Sequence, residues 1–247
     1  MSYFFAFNEI KSVTASSEDF FYPALNLLEH PTYKEYRAAS TSATLTLDLG
    51  AFVSCDSLLL CGNNATRDLQ VTSIRLEGNT TNSWTAPAFT LNHDVTLDGQ
   101  LNNLVYVPFI AKAFRYWRLT VNNPGGLYVG FSNLFLGAKT DLPVDVGYTF
   151  TLADRSEISG GRYSQRFIDK LPDLRYFSCS MSVMSQPERD ALAAIAHRCS
   201  THTPLWMILN PGTSLEEAGY FYFDKAPQIE NQAYQLYSTS LDMTEAI

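Results

Sequence analysis

The chain is short of charge. Asp, Glu, Lys and Arg make up 17 % of its 247 residues, and the formal net charge is −8. Neither half is basic: residues 1–140 hold 9 basic and 11 acidic groups, and the remainder holds 8 and 14. Binding duplex DNA or an anionic membrane surface needs concentrated positive charge, so no nucleic-acid partner is expected. Long apolar runs are missing too. No stretch approaches the length of a membrane-spanning helix, and no membrane insertion is expected. The opening MSYFFAFNEIKS has no basic n-region, long apolar core or small-residue cleavage site of a secretory signal. The four cysteines (Cys55, Cys61, Cys179, Cys199) include no CxxC pair, which favours reduced, partly buried thiols over disulfides or a metal–thiolate site.

Motifs of catalysis are also lacking. There is no GxSxG elbow, P-loop or GxGxxG. The histidines (His30, His93, His197, His202) are scattered, and His197-x-Cys199-x-x-His202 fits no common zinc spacing. A glycosidase needs two carboxylates flanking the scissile bond, whereas Glu216 and Glu217 are adjacent in a polar loop after Asn210-Pro211-Gly212. Gly160-Gly161-Arg162 reads as a hairpin turn rather than a phosphate nest. Asn64-Ala65-Thr66 and Asn79-Thr80-Thr81 match glycosylation acceptors by chance, given the missing secretion signal. The expectation is a protein that is not an enzyme and holds no cofactor or metal.

What is present is two kinds of pattern. Residues 1–139 show short strands broken by turn-formers, among them Thr44–Leu49, Ser57–Leu60, Val71–Glu77, Leu104–Phe109, Arg115–Val121 and Val129–Leu136. That spacing, without an amphipathic helix, predicts an all-β sandwich. In TLTLDL, Leu45, Leu47 and Leu49 point one way and Thr44, Thr46 and Asp48 the other. FRYWRLTV (114–121) divides likewise, with Trp117, Leu119 and Val121 on the core face. A single-strand nucleic-acid strip would need a basic groove beside the rings, and this half supplies none.

Residues 140–146 read as a polar, Pro-containing linker, and 147–247 as a smaller α+β, barrel-like domain with one helix. Ser185 can cap that helix, Pro187 suits its first turn and Glu188 completes a capping box. Leu192, Ile195 and Ala196 then recur at helical spacing, placing it at 186–199.

Several pieces of the first half, taken in order, resemble the galactose-binding-like jelly-roll of discoidin (F5/8 type C) modules. They are Thr14-Ala15-Ser16-Ser17, Tyr22-Pro23-Ala24, Asn26-Leu27-Leu28, Tyr36-Arg37-Ala38, Leu47-Asp48-Leu49-Gly50, Arg115–Leu119 and Phe131–Gly137. In many members a nearby loop holds structural calcium, but here Glu29-His30-Pro31 replaces the usual Asp-Gly. Acidic groups are sparse, and a hard cation wants six or more oxygens, so no metal is expected. Within that class, Tyr22–Leu28, Arg37, Leu47–Gly50 and Leu60–Asn64 resemble proteins of tailed bacteriophages. Ser159–Arg162, the Pro-Glu start of the helix and Pro204-Leu205-Trp206 resemble the small domain of distal-tail and baseplate proteins.

The resemblance implies a non-enzymatic structural subunit of a phage tail tip or baseplate, made in the bacterial host cytoplasm and carried in the virion. Its partners would be further copies of itself (a homo-oligomer) and the tail tube, tape measure and hub proteins. The sandwich would face outward and the C-terminal domain would assemble. GYFYFD motivates the assembly role: Tyr220 and Tyr222 alternate with Phe221 and Phe223, and a domain of this size is expected to cover only one such face. The alternative is a module binding cell-surface carbohydrate. Aromatics are abundant at 13 %, and Tyr3, Phe4, Phe5, Phe20, Phe21, Tyr22, Tyr33, Trp84 and Phe89 fall in predicted loops. Tyr33, Asn64 and Trp84 are the sugar-binding candidates.

Overall fold

The structure is a computed structural model that describes residues 2–29, 33–62, 70–95, 104–160, 166–169, 174–209 and 218–246, with backbone alone for 157–160 and 166–169. The first strands are β1 (Ser2–Phe5), β2 (Ser12–Ala15), β3 (Tyr36–Arg37), β4 (Ser42–Cys61), β5 (Ser73–Asn79) and β6 (Phe89–Asp94). Then come β7 (Leu104–Asn122), β8 (Gly130–Phe131), β9 (Asn133–Gly137), β10 (Thr140–Leu142), β11 (Thr149–Ala153), β12 (Glu157–Gly160) and β13 (Arg166–Asp169). The last are β14 (Leu174–Met184), helix α1 (Gln186–Cys199), β15 (Leu205–Ile208), β16 (Ala218–Phe223), β17 (Glu230–Ala233) and β18 (Leu236–Glu245).

The chain divides into two compact units. Unit 1 comprises Met1–Phe4, Asp141–Met207 and Gly219–Ile247; unit 2 comprises Phe5–Thr140 and Ile208–Ala218. The sequence reads 1–139 as one domain, whereas here the first strand groups with the C-terminal segments. Thr140–Leu142, within the stretch read as a linker, is a strand.

Unit 2 is mainly β. Its largest sheet runs β2-β4-β7-β5-β6, with β9 also on β4, and β3 pairs with β8. The alternation read from the sequence sets its faces. Leu45, Leu47, Leu49, Trp117, Leu119 and Val121 are buried, and the antiparallel register puts Leu45 opposite Leu119 and Leu47 opposite Trp117. Ile74 and Leu76 of β5 meet Val121 and Leu119 on the same face. The two short strands expected at Thr44–Leu49 and Ser57–Leu60 are one long strand. Gly50 bends it at φ 75, where Asp48 Oδ1 accepts the Gly50 N–H at 2.7 Å, and the ladder to β7 breaks between Asp48 and Val53. Arg115 holds Asp48 with two bonds of 2.9 and 3.0 Å; that guanidinium keeps the carboxyl below its usual range.

Unit 1 is built on a sheet in the order β10-β1-β15-β16-β18-β14-β11, with β17 pairing β18 and β12 pairing β13 separately. Phe177, Cys179, Met181, Phe221, Leu241 and Met243 are buried on one face. The helix starts as the sequence predicts, with the Ser185 N–H donating to Glu188 Oε2 at 2.6 Å, and it buries Leu192, Ile195 and Cys199.

The expected apolar face at 220–223 is corrected here. Tyr220, Phe221 and Phe223 are buried and only Tyr222 is half-exposed. Trp206 stacks on Tyr220 with centroids 4.7 Å apart, and on the other side Phe221 packs near Phe150 and Phe177. Phe4 and Phe5, read as loop aromatics, are buried in β1.

All four cysteines are buried. Burial pushes the thiols of Cys55 and Cys179 up to about 12 and that of Cys199 up to about 11. At pH 8 these three should therefore be almost wholly protonated and shielded. Ellman titration of the native chain should leave them unmodified until denaturant is added, and rapid native labelling at any of the three would contradict this packing.

Candidate functional site

The site is assembled from three loops at one end of unit 2, and a short turn supplies its most exposed part. Asp19, Phe20, Phe21 and Tyr22 close on themselves, with the Tyr22 N–H donating to the Asp19 carbonyl at 3.1 Å. The Asp19 side chain accepts the Phe21 N–H at 2.8 Å, the Asx arrangement that suits aspartate to the first position of a turn. The two central residues are thereby turned to solvent. Phe20 is 89 % and Phe21 78 % exposed, their rings meeting edge to face at 5.3 Å.

This turn is tied to β3. The Asp19 N–H donates to the Arg37 carbonyl at 2.8 Å, and the Arg37 N–H to the Tyr22 carbonyl at 3.0 Å. The Arg37 side chain lies over the Tyr22 ring at 4.0 Å and over that of Tyr128 at 5.0 Å. Its Nη2 donates to Glu35 Oε2 at 2.9 Å. Glu35 is only 4 % exposed, so the guanidinium is anchored from beneath by a buried carboxylate, which strengthens its hold on its proton.

The third loop brings Tyr128. The Gly126 N–H donates to the Asn123 carbonyl at 3.0 Å, and Asn123 Nδ2 donates to the Tyr128 carbonyl at 2.9 Å. Leu127 stands 90 % exposed beside it. Asn26 braces the floor by donating to the Glu35 carbonyl at 2.8 Å, the loop-pinning role its residue type suggests.

Gly130 pairs with Arg37, and a Cβ there would stand 2.6 Å from Glu35 Oε1 and 2.8 Å from the Tyr128 ring. Gly130→Ala should therefore push Glu35 and Tyr128 away from Arg37 and cost about 1–3 kcal/mol, as overpacked sites do. Denaturant melts would measure that loss. An unchanged midpoint would show that the carboxylate is not held tightly.

The three sugar-binding candidates are not brought together. Tyr33 is exposed, two residues before Glu35 on the segment leading into β3. Asn64 lies outside the described residues. Trp84 belongs elsewhere: β5 starts just after Gln70, which bridges to Gly130, and runs to Asn79, roughly 20 Å away at strand rise. There the Trp84 indole donates to Asn82 at 2.9 Å and its ring packs on Arg118 at 4.9 Å. Arg118 is in turn bound to the buried Glu77 at 2.6 Å. Trp84 is thus half-covered and occupied on the sheet's outer face. Sequence reasoning singled out Tyr33 and used Arg37 only in the family resemblance; it assigned neither Arg37, Glu35 nor Tyr128 to a site, because their grouping depends on chain-distant pairing.

The arrangement offers flat apolar rings at the rim, a fixed cation between two tyrosines and a carboxylate below it. Chemically, such a set offers faces for stacking and charge-assisted donors for oxygen atoms. Among the described residues no group of three or more His, Cys, Asp or Glu side chains stands close enough to hold a metal ion.

No family model matches the chain, and no curated protein is similar to it. Solved structures do align with about half of it. One is a CBM32 of AlyQ in complex with 4,5-unsaturated mannuronic acid, 20 % identical, at a TM-score of 0.42 over 51 % of this chain and 94 % of that one. Another is CpGH89CBM32-5 from Clostridium perfringens in complex with GalNAc-beta-1,3-galactose, 13 % identical, at 0.45 over 55 % and 99 %. A third is the Streptococcus pneumoniae fucose binding module SpX-3, 11 % identical, at 0.43 over 53 % and 96 %.

Proposed function

We propose that this chain is a non-catalytic recognition protein whose unit 2 binds carbohydrate at the Phe20–Phe21 turn. One observation carries the reading: two solvent-facing phenylalanines adjoin an arginine set between Tyr22 and Tyr128 and anchored on buried Glu35. A sugar has an apolar C–H face and a hydroxyl edge. Rings suit the first, and a fixed guanidinium with carboxylates nearby suits the second.

The test is a glycan array probed with the full chain, followed by calorimetric titration of the best ligand. The double substitution Phe20→Ala/Phe21→Ala should lower affinity about tenfold or more, roughly 1.4 kcal/mol. It should leave the melt unchanged, because both rings are exposed. Trp84→Ala should bind as the parent does. Silence across the array at millimolar sugar, or a loss caused by Trp84→Ala and not by the phenylalanine pair, would overturn the proposal.

The phage-tail reading, its homo-oligomer and its virion location rest on the sequence resemblance. The residues that motivated the assembly role of the C-terminal domain are largely buried, Tyr220, Phe221 and Phe223 among them, so that role is without the exposed apolar face proposed for it. In a tail the same loop end would serve host-surface attachment.

A further inference from the structure

Unit 1 carries a second candidate surface, made by strands rather than loops. The alternation that buries Phe177, Phe221 and Met243 turns Tyr176, Tyr222 and Thr244 to the opposite face of the sheet. The register sets Tyr176 opposite Thr244 and Thr244 opposite Tyr222. The two tyrosines therefore share one row, two strand spacings apart, roughly 9.5 Å. Tyr176 is 40 % exposed.

The neighbouring row is polar. Thr149 pairs with Ser178, and Ser178 with Asp242. The Ser178 hydroxyl donates to Asp242 Oδ1 at 2.8 Å, and Lys225 Nζ lies 3.2 Å from Asp242 Oδ2. The carboxylate is thereby fixed in direction, with Ser178 and Lys225 holding its pKa below the usual range. A cavity of about 310 Å³ sits here, bounded by Thr149, Thr151, Tyr176, Asp224, Lys225 and Asp242. It shares Thr149 and Ser178 with a second cavity of about 330 Å³ that reaches Asp145 and Ser180. The two make one groove along β11 and β14.

The lining selects its occupant. Asp145, Asp224 and Asp242 outnumber Lys225, so an anionic chain is repelled. Hydroxyls, carboxylates and a lysine around one exposed ring match a ligand rich in hydroxyl groups. We propose that this groove binds an uncharged, linear oligosaccharide, one sugar stacking on Tyr176 while its hydroxyls donate to Asp242 and Asp224 and accept from Lys225. This site is independent of the loop end of unit 2.

The experiment uses the full chain carrying Phe20→Ala/Phe21→Ala, so that unit 2's loops are silenced. It is titrated by calorimetry with uncharged β-1,4-linked hexasaccharides of glucose, mannose and galactose, and with hexagalacturonate as the acidic counterpart. At least one uncharged hexasaccharide should bind, and Tyr176→Ala and Asp242→Ala should each weaken it about tenfold, while Tyr176→Phe should not. Melts of each variant confirm folding, and the exposed Tyr176 keeps the test open if Asp242→Ala unfolds. The proposal is overturned if no uncharged hexasaccharide binds, if Tyr176→Ala leaves binding intact, or if hexagalacturonate binds as tightly. Silence here together with retained binding by the parent chain would leave the unit 2 reading standing.

Discussion

Trp117→Ala should remove about 3–5 kcal/mol from the stability of unit 2, as large-to-small aromatic substitutions in packed cores do. Trp117 is fully buried. Its ring is ringed by Phe89, Phe109 and Phe114, with centroids 5.8, 5.7 and 5.5 Å away. Across the ladder it faces Gly78, where even a Cβ would stand 2.5 Å from Phe114, so one large residue fills space that its neighbour leaves open. The indole N–H is buried without an acceptor among the described residues. Trp117→Phe should therefore cost less than half as much, since it sheds an unpaired donor along with some volume. Hydrogen exchange of the β7 amides during a denaturant series would read both. A loss under about 1 kcal/mol for Trp117→Ala would mean that the sheet does not depend on this cluster.

Glu245→Ala should destabilise unit 1 by about 3 kcal/mol, because it takes the carboxylate from a largely covered ion pair. Glu245 and Arg175 form an ion pair with side chains 9 % and 13 % exposed, and the Arg175 N–H also donates to Glu245 Oε2 at 3.2 Å. The guanidinium lies 5.6 and 5.8 Å from the Phe150 and Phe221 ring centres, surroundings that solvate it poorly once the carboxylate is gone. Replacing both partners, as in Arg175→Met/Glu245→Met, should recover much of the loss, since the desolvation cost disappears with the charge. Urea melts of the three variants decide it. A double variant no better than Glu245→Ala would show that shape, not charge, governs the position.

Much of this was legible in sequence where the signal is local. The period-2 alternation of TLTLDL and FRYWRLTV named the buried residues Leu45, Leu47, Trp117 and Leu119. The Ser185–Glu188 capping box set the start of α1, since all its determinants lie within four residues. Asn26 was readable as a loop brace because an amide in an irregular turn seeks backbone. What escaped depends on pairing between distant segments. One bent strand looked like two because Gly50 interrupts the alternation, and only the partner strand shows that the ladder resumes at Val53. GYFYFD looked exposed because a strand does not reveal what covers its second face; here Tyr220, beside Trp206 of β15, is buried as well as Phe221 and Phe223.

The candidate site was half legible. Phe20 and Phe21 stood among nine loop aromatics, and nothing local distinguishes them from Phe4 and Phe5, which are buried. Arg37, Glu35 and Tyr128 become a set only when β3 pairs with β8. Trp84 lies in a loop, as the sequence suggests, and reads as available until Arg118 is seen packed on its ring.

The most direct test of the recognition claim is backbone-amide NMR of the full chain titrated with its best array glycan. The loop-end account predicts shifts concentrated at Asp19–Tyr22, Glu35–Arg37 and Leu127–Gly130, with the Asn79–Trp84 loop unmoved. Shifts confined to Asn79–Trp84, or to β11 and β14 of unit 1 with the three loops unmoved, would contradict it.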